Sequence, residues 1–355
     1  MRMRRTLAAL ALLTALPASA CTTFCVRGPD GLVFGRSYDY GFGEGMVLVN
    51  ARGLEKVSLL ERNPARWTAK YGSVTFNQYG RDNPMGGVNE RGFVVELMEL
   101  QETKYPPLDS RPQLGALEWV QYLLDNFATV NEAIAGSKRV RIGTSIPIHF
   151  LFADRKGDTA VVEFLNGRMM VRHGENVPSR VLANTPYDED LEYAAKRTLS
   201  PPSPKGEGDL PRGIEGSRER FARAARAVKA FEAAPTSGAI DRSFEILDEV
   251  AQKGHTQWQI VYDLGRSTIH YRTTVNRERR SIAYANLEYA CTAPGGMLDV
   301  DTGRGDVTKA FLPYASEANE RQMLRAFAAS PQVGMLPQAV RSDAARLERT
   351  RTCAA

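Results

Sequence analysis

Short stretches in which apolar and polar residues alternate, typical of β-strands with one buried face, recur along this chain. The first covers residues 21–26, and the second, residues 32–38, follows the turn residues Gly28-Pro-Asp-Gly31. Because proline, aspartate and glycine favour tight turns, the two stretches predict a β-hairpin that fixes residue 21 in a sheet. Further strands are predicted at residues 72–79, 92–97, 147–153, 159–164, 257–263, 267–273 and 281–285.

Helical spacing appears between and after these strands. Thr129 and Glu132 form the pattern of a capping box, which predicts that a helix begins there. Apolar residues recurring three and four positions apart, or a similar pattern, predict further helices at residues 117–127, 218–233 and 240–253 and a helical tail after residue 317.

Residues 200–216 are rich in proline, glycine and charge, so an exposed loop is predicted for them. No internal repeat and no clear linker divides the chain. Strands mixed with helices over this length favour a single α+β domain.

The first twenty residues differ from the rest of the chain. A short basic stretch precedes an apolar run at residues 7–16, and Pro17-Ala-Ser-Ala20 places small residues before Cys21. This three-part pattern predicts a secretory signal peptide at residues 1–20 and a periplasmic or secreted protein. A membrane-spanning helix needs about 20 apolar residues. No later stretch has that length, so no integral membrane segment is expected after cleavage.

Charge argues against a nucleic-acid partner. The formal charge is +5, but Arg2, Arg4 and Arg5 lie in the predicted signal peptide, and without these three it is +2. The remaining basic residues are interspersed with acidic ones and form no stripe.

Several familiar catalytic motifs are absent from the sequence. There is no G-x-S-x-G elbow and no G-K-S/T loop, and the glycine-rich stretch at residues 41–45 predicts a plain turn because no helical pattern follows it. The four histidines are far apart and none has metal-ligand spacing, so no metal site is expected. A Ser–His or Cys–His enzyme stays open, without a local motif that favours it.

Four cysteines follow the predicted signal peptide. Cys21 and Cys25 would lie about 13 Å apart on one face of a straight strand, too far for a disulfide. Cys25 is therefore predicted to be a small core residue. The pairing of Cys291 and Cys353 stays open.

The position of Cys21 suggests its chemistry. As the first residue of a mature chain it would carry both a thiol and a free α-amine. The unperturbed pKa of an α-amine, near 8, is close to that of a thiol, so one residue supplies a nucleophile and its base. The alternative is a lipoprotein cysteine, but the usual lipobox has leucine where this chain has Ala18.

The chain resembles the choloylglycine hydrolase and penicillin V acylase family, cysteine N-terminal-nucleophile amidases. The resemblance covers about residues 21–301 and rests on motifs that occur together in the expected order, namely Cys21-Thr-Thr-Phe, Phe34-Gly-Arg36-Ser-Tyr-Asp39, Gly87-Val-Asn-Glu-Arg-Gly92, Leu182-Ala-Asn184-Thr-Pro186, Arg220-Phe-Ala-Arg223 and the stretch 256–276. It implies a four-layer αββα sandwich and hydrolysis of linear C–N amides.

The resemblance also implies roles for individual residues. Cys21 would attack the amide carbonyl, Asp39 would hold the α-amine of Cys21, and Arg36 would favour the thiolate. Asn184 would donate to the oxyanion, and Arg220 would complete the polar network. Arg218 is the alternative to Arg220 if the local alignment is shifted.

One position departs from the family pattern. Many bile-salt-cleaving members have asparagine where this chain has Glu99. The backbone N–H of Glu99 could still serve as the second oxyanion donor, but the substrate mouth should differ. In this departure, and in its predicted export, the chain resembles the Gram-negative members of the family, which cleave penicillin V and fatty-acyl amides such as acyl-homoserine lactones.

Together these observations predict a signal peptide at residues 1–20, a catalytic domain at 21–316 and a helical extension at 317–355. The expected substrate is a small N-acyl amide, namely penicillin V, an acyl-homoserine lactone or a conjugated bile salt. No cofactor is expected, and the resemblance implies a homotetramer. Two other interpretations are a lipid-anchored envelope protein of the same fold without catalysis and a soluble α+β binding protein. Tyr38, Tyr40, Phe42 and Met98 are candidates for an apolar acyl site, although such a stripe is more often core.

Overall fold

The computed structural model describes residues 21–197, 210, 213–235, 238–293, 295–330, 338–345 and 352–354. The predicted signal peptide and most of the predicted loop at 200–216 lie outside these residues. Within the described ranges the chain forms two large β-sheets and seven α-helices.

The first sheet has seven strands and begins with the predicted hairpin. In spatial order its strands are β14 (Val181–Leu182), β1 (Thr22–Gly28), β2 (Gly31–Asp39), β15 (Thr256–Asp263), β16 (Thr268–Thr273), β17 (Arg280–Ala283) and β19 (Gly305–Asp306). Gly28 pairs with Gly31 at the end of the hairpin, and the positive φ of Gly31 suits a residue without Cβ. The turn therefore forms as predicted.

The second sheet has eight strands, among them those predicted near residues 72, 92, 147 and 159. In spatial order they are β13 (Arg168–His173), β12 (Thr159–Leu165), β11 (Ile148–Ala153), β8 (Val94–Glu99), β7 (Pro84–Asn89), β6 (Ser73–Asn77), β3 (Met46–Asn50) and β18 (Gly296–Asp299). Two small sheets pair β4 (Glu55–Val57) with β5 (Arg66–Thr68) and β9 (Gln113–Leu114) with β10 (Arg141–Ile142).

The described part of the chain has seven α-helices. They are α1 (Ala116–Asn126), α2 (Val130–Ser137), α3 (Tyr187–Lys196), α4 (Gly213–Ala233), α5 (Ala239–Glu249), α6 (Ser316–Ala329) and α7 (Gln338–Ala345). α4 and α5 pack on β1 and β2, whereas α1 packs on β7 and β8. The predicted αββα sandwich is confirmed.

Aromatic side chains fill the space between the two sheets. The ring of Phe76, on β6, lies 6.2 Å from that of Trp258 and 5.4 Å from that of Tyr271, on β15 and β16. All three side chains are buried. Burial of this aromatic surface contributes to the stability of the sandwich.

Two local predictions have instructive outcomes. At the start of α2, Thr129 accepts from the backbone N–H of Glu132, as in a capping box, but the carboxylate of Glu132 reaches the N–H of Ala128. The predicted loop was wrong at its end, because residues 213–216 form the first turn of α4. Glycine content suggested a loop, but Gly216 and Ser217 are buried where the helix packs.

The last described residues return to the body of the domain. Cys291 and Cys353 form a disulfide, and Cys353 bridges Leu54 next to β4. Cys21 and Cys25 form no disulfide, and Cys25 is a core residue, as predicted; Cys21 is buried as well. None of the described helices is long and apolar enough to cross a membrane.

Candidate active site

Cys21 lies at the start of β1 and is buried, between groups from the neighbouring strand β2. Its Sγ is 3.7 Å from Nη2 of Arg36 and 3.8 Å from the carbonyl oxygen of Asp39. Burial raises the pKa of the Cys21 thiol to about 11, whereas the charge of Arg36 pulls it down. In the full chain the nitrogen of Cys21 belongs to a peptide bond, so the thiol has no α-amine beside it to act as a base.

Asp39 is the last residue of β2, and only one of its two carboxylate oxygens accepts hydrogen bonds among the described residues. Oδ1 accepts hydrogen bonds from the hydroxyls of Ser37 at 2.7 Å and Thr256 at 2.6 Å. Oδ2 is buried and has no hydrogen-bond partner among the described residues. Burial raises the pKa of Asp39, while Arg220 and the two hydroxyls oppose this shift. A buried acceptor of this kind is suited to bind an ammonium or amine donor beside Cys21.

Arg36 crosses the space between the two sheets. Its Nη1 contacts the carboxylate of Glu96 on β8 and donates to the carbonyl oxygen of Met85 at 3.0 Å, while Nη2 points to Cys21. Burial disfavours the guanidinium charge, but the carboxylate of Glu96 outweighs this and raises the pKa of Arg36. A fixed positive charge is thus held next to the sulfur.

Asn184 lies in the short segment between β14 and α3. Its Nδ2 donates to the carbonyl oxygen of Glu99 at 2.9 Å, and its Oδ1 accepts from Nη2 of Arg220 at 3.0 Å. The backbone N–H of Asn184 donates to Oγ of Ser217 at 2.8 Å. A carboxamide nitrogen carries two hydrogens, so one remains for a substrate oxygen.

Arg220 is on the inner face of α4 and is 1% exposed. Its Nε donates to Oγ1 of Thr22 at 3.1 Å, so that it contacts the residue directly after Cys21. Burial lowers the pKa of Arg220, although Asp39 and Cys21 favour its charge. Arg218 lies on the outer face and pairs with Glu189 at 2.6 Å. The structure therefore places Arg220, and not Arg218, at the site.

Glu99 is the last residue of β8. It is 4% exposed, and its carboxylate accepts from the side chain of Gln101. Its backbone faces the site, since its carbonyl oxygen accepts from Asn184. Use of its backbone N–H as an oxyanion donor stays a prediction.

The four aromatic and apolar candidates are buried beside these groups. Tyr38 stacks on Trp258 at 4.5 Å and lies under the guanidinium of Arg36, 5.1 Å from the ring centre. Tyr40 stacks on Tyr38, Phe42 meets the ring of Tyr40 edge to face, and Met98 is fully buried. In this structure they belong to the core that adjoins the site.

Sequence reasoning missed the polar residues that support the predicted ones. Glu96 pairs with Arg36, Thr256 bonds to Asp39, and Ser217 bonds to the backbone of Asn184. Only Glu96 left a signal, since it is a carboxylate inside the predicted apolar strand 92–97. Among the described residues, no group of three or more His, Cys, Asp or Glu is arranged to hold a metal ion.

Known proteins are similar to this chain in sequence and in fold. A penicillin V acylase from Pectobacterium atrosepticum is 30% identical over 223 residues, which are 55% of this chain and 58% of that protein, so the match spans little more than half of the relative. A penicillin V acylase structure from Agrobacterium tumefaciens matches with a TM-score of 0.70 and 28% identity, over 83% of this chain and 98% of that one.

A conjugated bile acid hydrolase variant from Clostridium perfringens shares the fold, with a TM-score of 0.61 and 20% identity over 80% of this chain and 98% of that one. The family described as linear amide C–N hydrolases, choloylglycine hydrolase family, matches residues 21–289. The chain therefore belongs to the choloylglycine hydrolase family of linear amide C–N hydrolases.

Proposed function

We propose that this protein is exported, that removal of residues 1–20 frees the α-amine of Cys21, and that Cys21 then hydrolyses the C–N bond of small N-acyl amides. The observation that carries the proposal is the placement of the sulfur between Arg36 and Asp39, with Oδ2 of Asp39 buried and unpartnered. That oxygen is the acceptor that a newly formed α-amine requires.

The reaction follows from the positions of these groups. The α-amine takes the thiol proton, and the sulfur attacks the amide carbonyl to form a C–S bond. The free N–H of Asn184 donates to the oxyanion, an interaction worth about 3 kcal/mol in related acyl transfer. The ammonium then protonates the leaving nitrogen as the C–N bond breaks, which leaves an acyl-thioester.

Water completes the cycle. The α-amine takes a proton from water, the hydroxide adds to the thioester carbonyl, and the C–S bond breaks as the sulfur regains the proton. The products are a carboxylic acid and an amine. The thiol proton leaves on the amine product and a proton from water replaces it, so the enzyme returns to its starting state. Cys21 thus supplies the nucleophile and the base, Asp39 the acceptor that holds the base, and Asn184 one oxyanion donor.

Export is supported by two independent features. The first twenty residues have the composition of a signal peptide. The pairing of Cys291 with Cys353 suits an oxidising compartment, since disulfides are rare in reducing cytosol. Both agree with a periplasmic or secreted protein whose activation is coupled to its export.

The substrate class rests on the relatives. Two of the similar proteins are penicillin V acylases and one is a conjugated bile acid hydrolase. Glu99, in place of the asparagine of many bile-salt-cleaving members, favours penicillin V and acyl-homoserine lactones over conjugated bile salts.

The test is a hydrolysis assay of the protein secreted from its full-length gene. Penicillin V, N-acyl-homoserine lactones of several chain lengths and a conjugated bile salt are offered to the wild type and to Cys21→Ala. We expect release of free amine from at least one substrate by the wild type only. Equal release by both proteins, or by neither, would contradict the proposal.

A further inference from the structure

Glu96 is a buried carboxylate that the proposed reaction does not use. It lies in the middle of β8, in the eight-stranded sheet, and is completely shielded from solvent. Its partner Arg36 belongs to β2 of the other sheet. The pair therefore joins the two sheets through the interior, next to the nucleophile that Arg36 contacts.

The backbone makes space for this carboxylate. Gly86 on β7 pairs directly with Glu96. A Cβ added at Gly86 would lie 2.0 Å from Oε2 of Glu96 and 2.2 Å from its carboxyl carbon. Such a distance is far below van der Waals contact. The carboxylate thus occupies the space that a side chain at position 86 would need, so a larger residue there would displace it.

Two further contacts hold the pair in one geometry. The hydroxyl of Tyr262 on β15 donates to Oε1 of Glu96, while Oε2 contacts Nη1 of Arg36. The carbonyl oxygen of Met85 accepts a second bond from the same Nη1. Both carboxylate oxygens and one end of the guanidinium are occupied. Nη2 is left to face Sγ of Cys21 at 3.7 Å.

This arrangement is more than neutralisation of a buried charge. A buried guanidinium without a counter-ion is strongly unfavourable, so Arg36 would turn toward solvent or toward another acceptor. The guanidinium of Arg36 is planar, so when Glu96 holds Nη1 the orientation of Nη2 is fixed as well. In that orientation Nη2 points toward the sulfur.

We infer that Glu96 is a positioning residue that holds the guanidinium of Arg36 against Sγ of Cys21. The inference rests on the proposed role of Cys21 as nucleophile. On this inference Glu96, Gly86 and Tyr262, which lie on strands of both sheets, together set the position of Arg36. Among the described residues, none of these three forms a hydrogen bond with Cys21.

The test compares four variants of the mature protein. Glu96→Ala removes the anchor, Glu96→Gln keeps its shape without charge, and Gly86→Ala displaces the carboxylate. Glu118→Gln is the matched control, because Glu118 is also a buried carboxylate, on α1 at the far side of the eight-stranded sheet.

Two readouts are used. The first is kcat/KM for amide hydrolysis. The second is the rate of Cys21 alkylation by iodoacetamide from pH 6 to 11, read from the fragment ions of the peptide that contains both Cys21 and Cys25, so that the two cysteines are counted separately. Asp39, Arg220, Tyr38 and Tyr40 also interact with Cys21 and are unchanged in all four variants. A purely structural role for Glu96 would leave this pH profile in place.

We expect Glu96→Ala and Gly86→Ala to lower kcat/KM by about 100-fold, the scale of lost positioning, and to move the alkylation profile to higher pH. Glu96→Gln should move the profile to lower pH, since the positive charge of Arg36 is no longer offset. Glu118→Gln should leave the profile unchanged.

An unchanged alkylation profile in both Glu96→Gln and Glu96→Ala would overturn the inference. If Glu96→Ala does not fold, Glu96→Gln decides alone. Within an Arg36→Ala background, Glu96→Gln should have no further effect on alkylation, and a full additive effect would also contradict it. Alkylation needs no substrate, so a protein that hydrolyses no amide but shows these shifts would refute the proposed function and keep Glu96 in its role.

Discussion

Nη2 of Arg220 donates a hydrogen bond of 3.0 Å to Oδ1 of Asn184, and this bond ties helix α4 to the segment between β14 and α3. Because Oδ1 is occupied as an acceptor, the amide nitrogen of Asn184 is turned toward Glu99 and the site. The orientation of an amide group is thereby set by a charged donor on another element.

Asn184→Ala removes the proposed oxyanion donor. We expect kcat/KM to fall by about 10²- to 10³-fold with little change in KM, because the interaction is made mainly in the transition state. Steady-state kinetics on the best substrate check this. Asn131→Ala, at the surface of α2, is the control. A loss confined to KM would argue that Asn184 binds substrate only.

Arg220→Ala should reduce kcat/KM by at least about 10-fold, since it frees Oδ1 of Asn184 and leaves Thr22 without its donor. Arg218→Ala, two residues away on the outer face of the same helix, should keep activity within about two-fold. The two variants are assayed side by side. A larger loss of activity in Arg218→Ala than in Arg220→Ala would show that Arg218, and not Arg220, serves the site.

The buried carboxyl of Asp190, near the start of α3, should make the free energy of unfolding depend on pH. Burial raises its pKa to about 8, against the lowering effect of Thr185, Arg218 and Arg220. The folded state therefore binds a proton that the unfolded chain has lost, so stability is present below pH 4 and declines as the pH rises toward 8.

Asp190→Asn removes this decline. Thermal melts at pH 4 and pH 8 should show that the difference in Tm between the two conditions shrinks by about 3 °C or more relative to the wild type. Asp188→Asn, an exposed aspartate on the same helix that pairs with Arg172, serves as control. Equal pH dependence in wild type and Asp190→Asn would refute this account of the buried carboxyl.

The disulfide between Cys291 and Cys353 should stabilise the domain. It closes a segment with a sequence separation of 62, for which chain entropy predicts about 4 kcal/mol. The double variant Cys291→Ser, Cys353→Ser should unfold at a clearly lower urea concentration than the wild type. A reducing agent should lower the unfolding midpoint of the wild type and leave that of the variant unchanged. Coincident midpoints would mean that the tail adds nothing to stability.

The parts of the fold that depend on neighbouring residues were predicted well. The β1–β2 hairpin follows from alternation and a Pro-Asp turn, and the start of α2 follows from Thr129 and Glu132. Within the loop predicted at 200–216, residues 213–216 proved helical, because burial of Gly216 and Ser217 against the body of the protein outweighs the low helix propensity of glycine.

The support of the site could not be predicted in the same way. Arg36 and Glu96 are 60 residues apart and on different sheets, and Asn184 and Ser217 are 33 apart. No local pattern specifies such pairs, since they exist only once the layers are stacked. Cys21 was predicted from its position after the predicted signal peptide, and Asp39 and Asn184 were predicted through a family resemblance. The structure places the three residues close together.

The central claim is that the mature protein begins at an unmodified Cys21, and the intact mass of the protein recovered from the periplasm and from the membrane fraction tests it most directly. We predict a mass that corresponds to residues 21–355 with one disulfide and no added group. A mass that includes a diacylglycerol group, or that retains residues 1–20, would leave no free α-amine on Cys21 and would contradict the account.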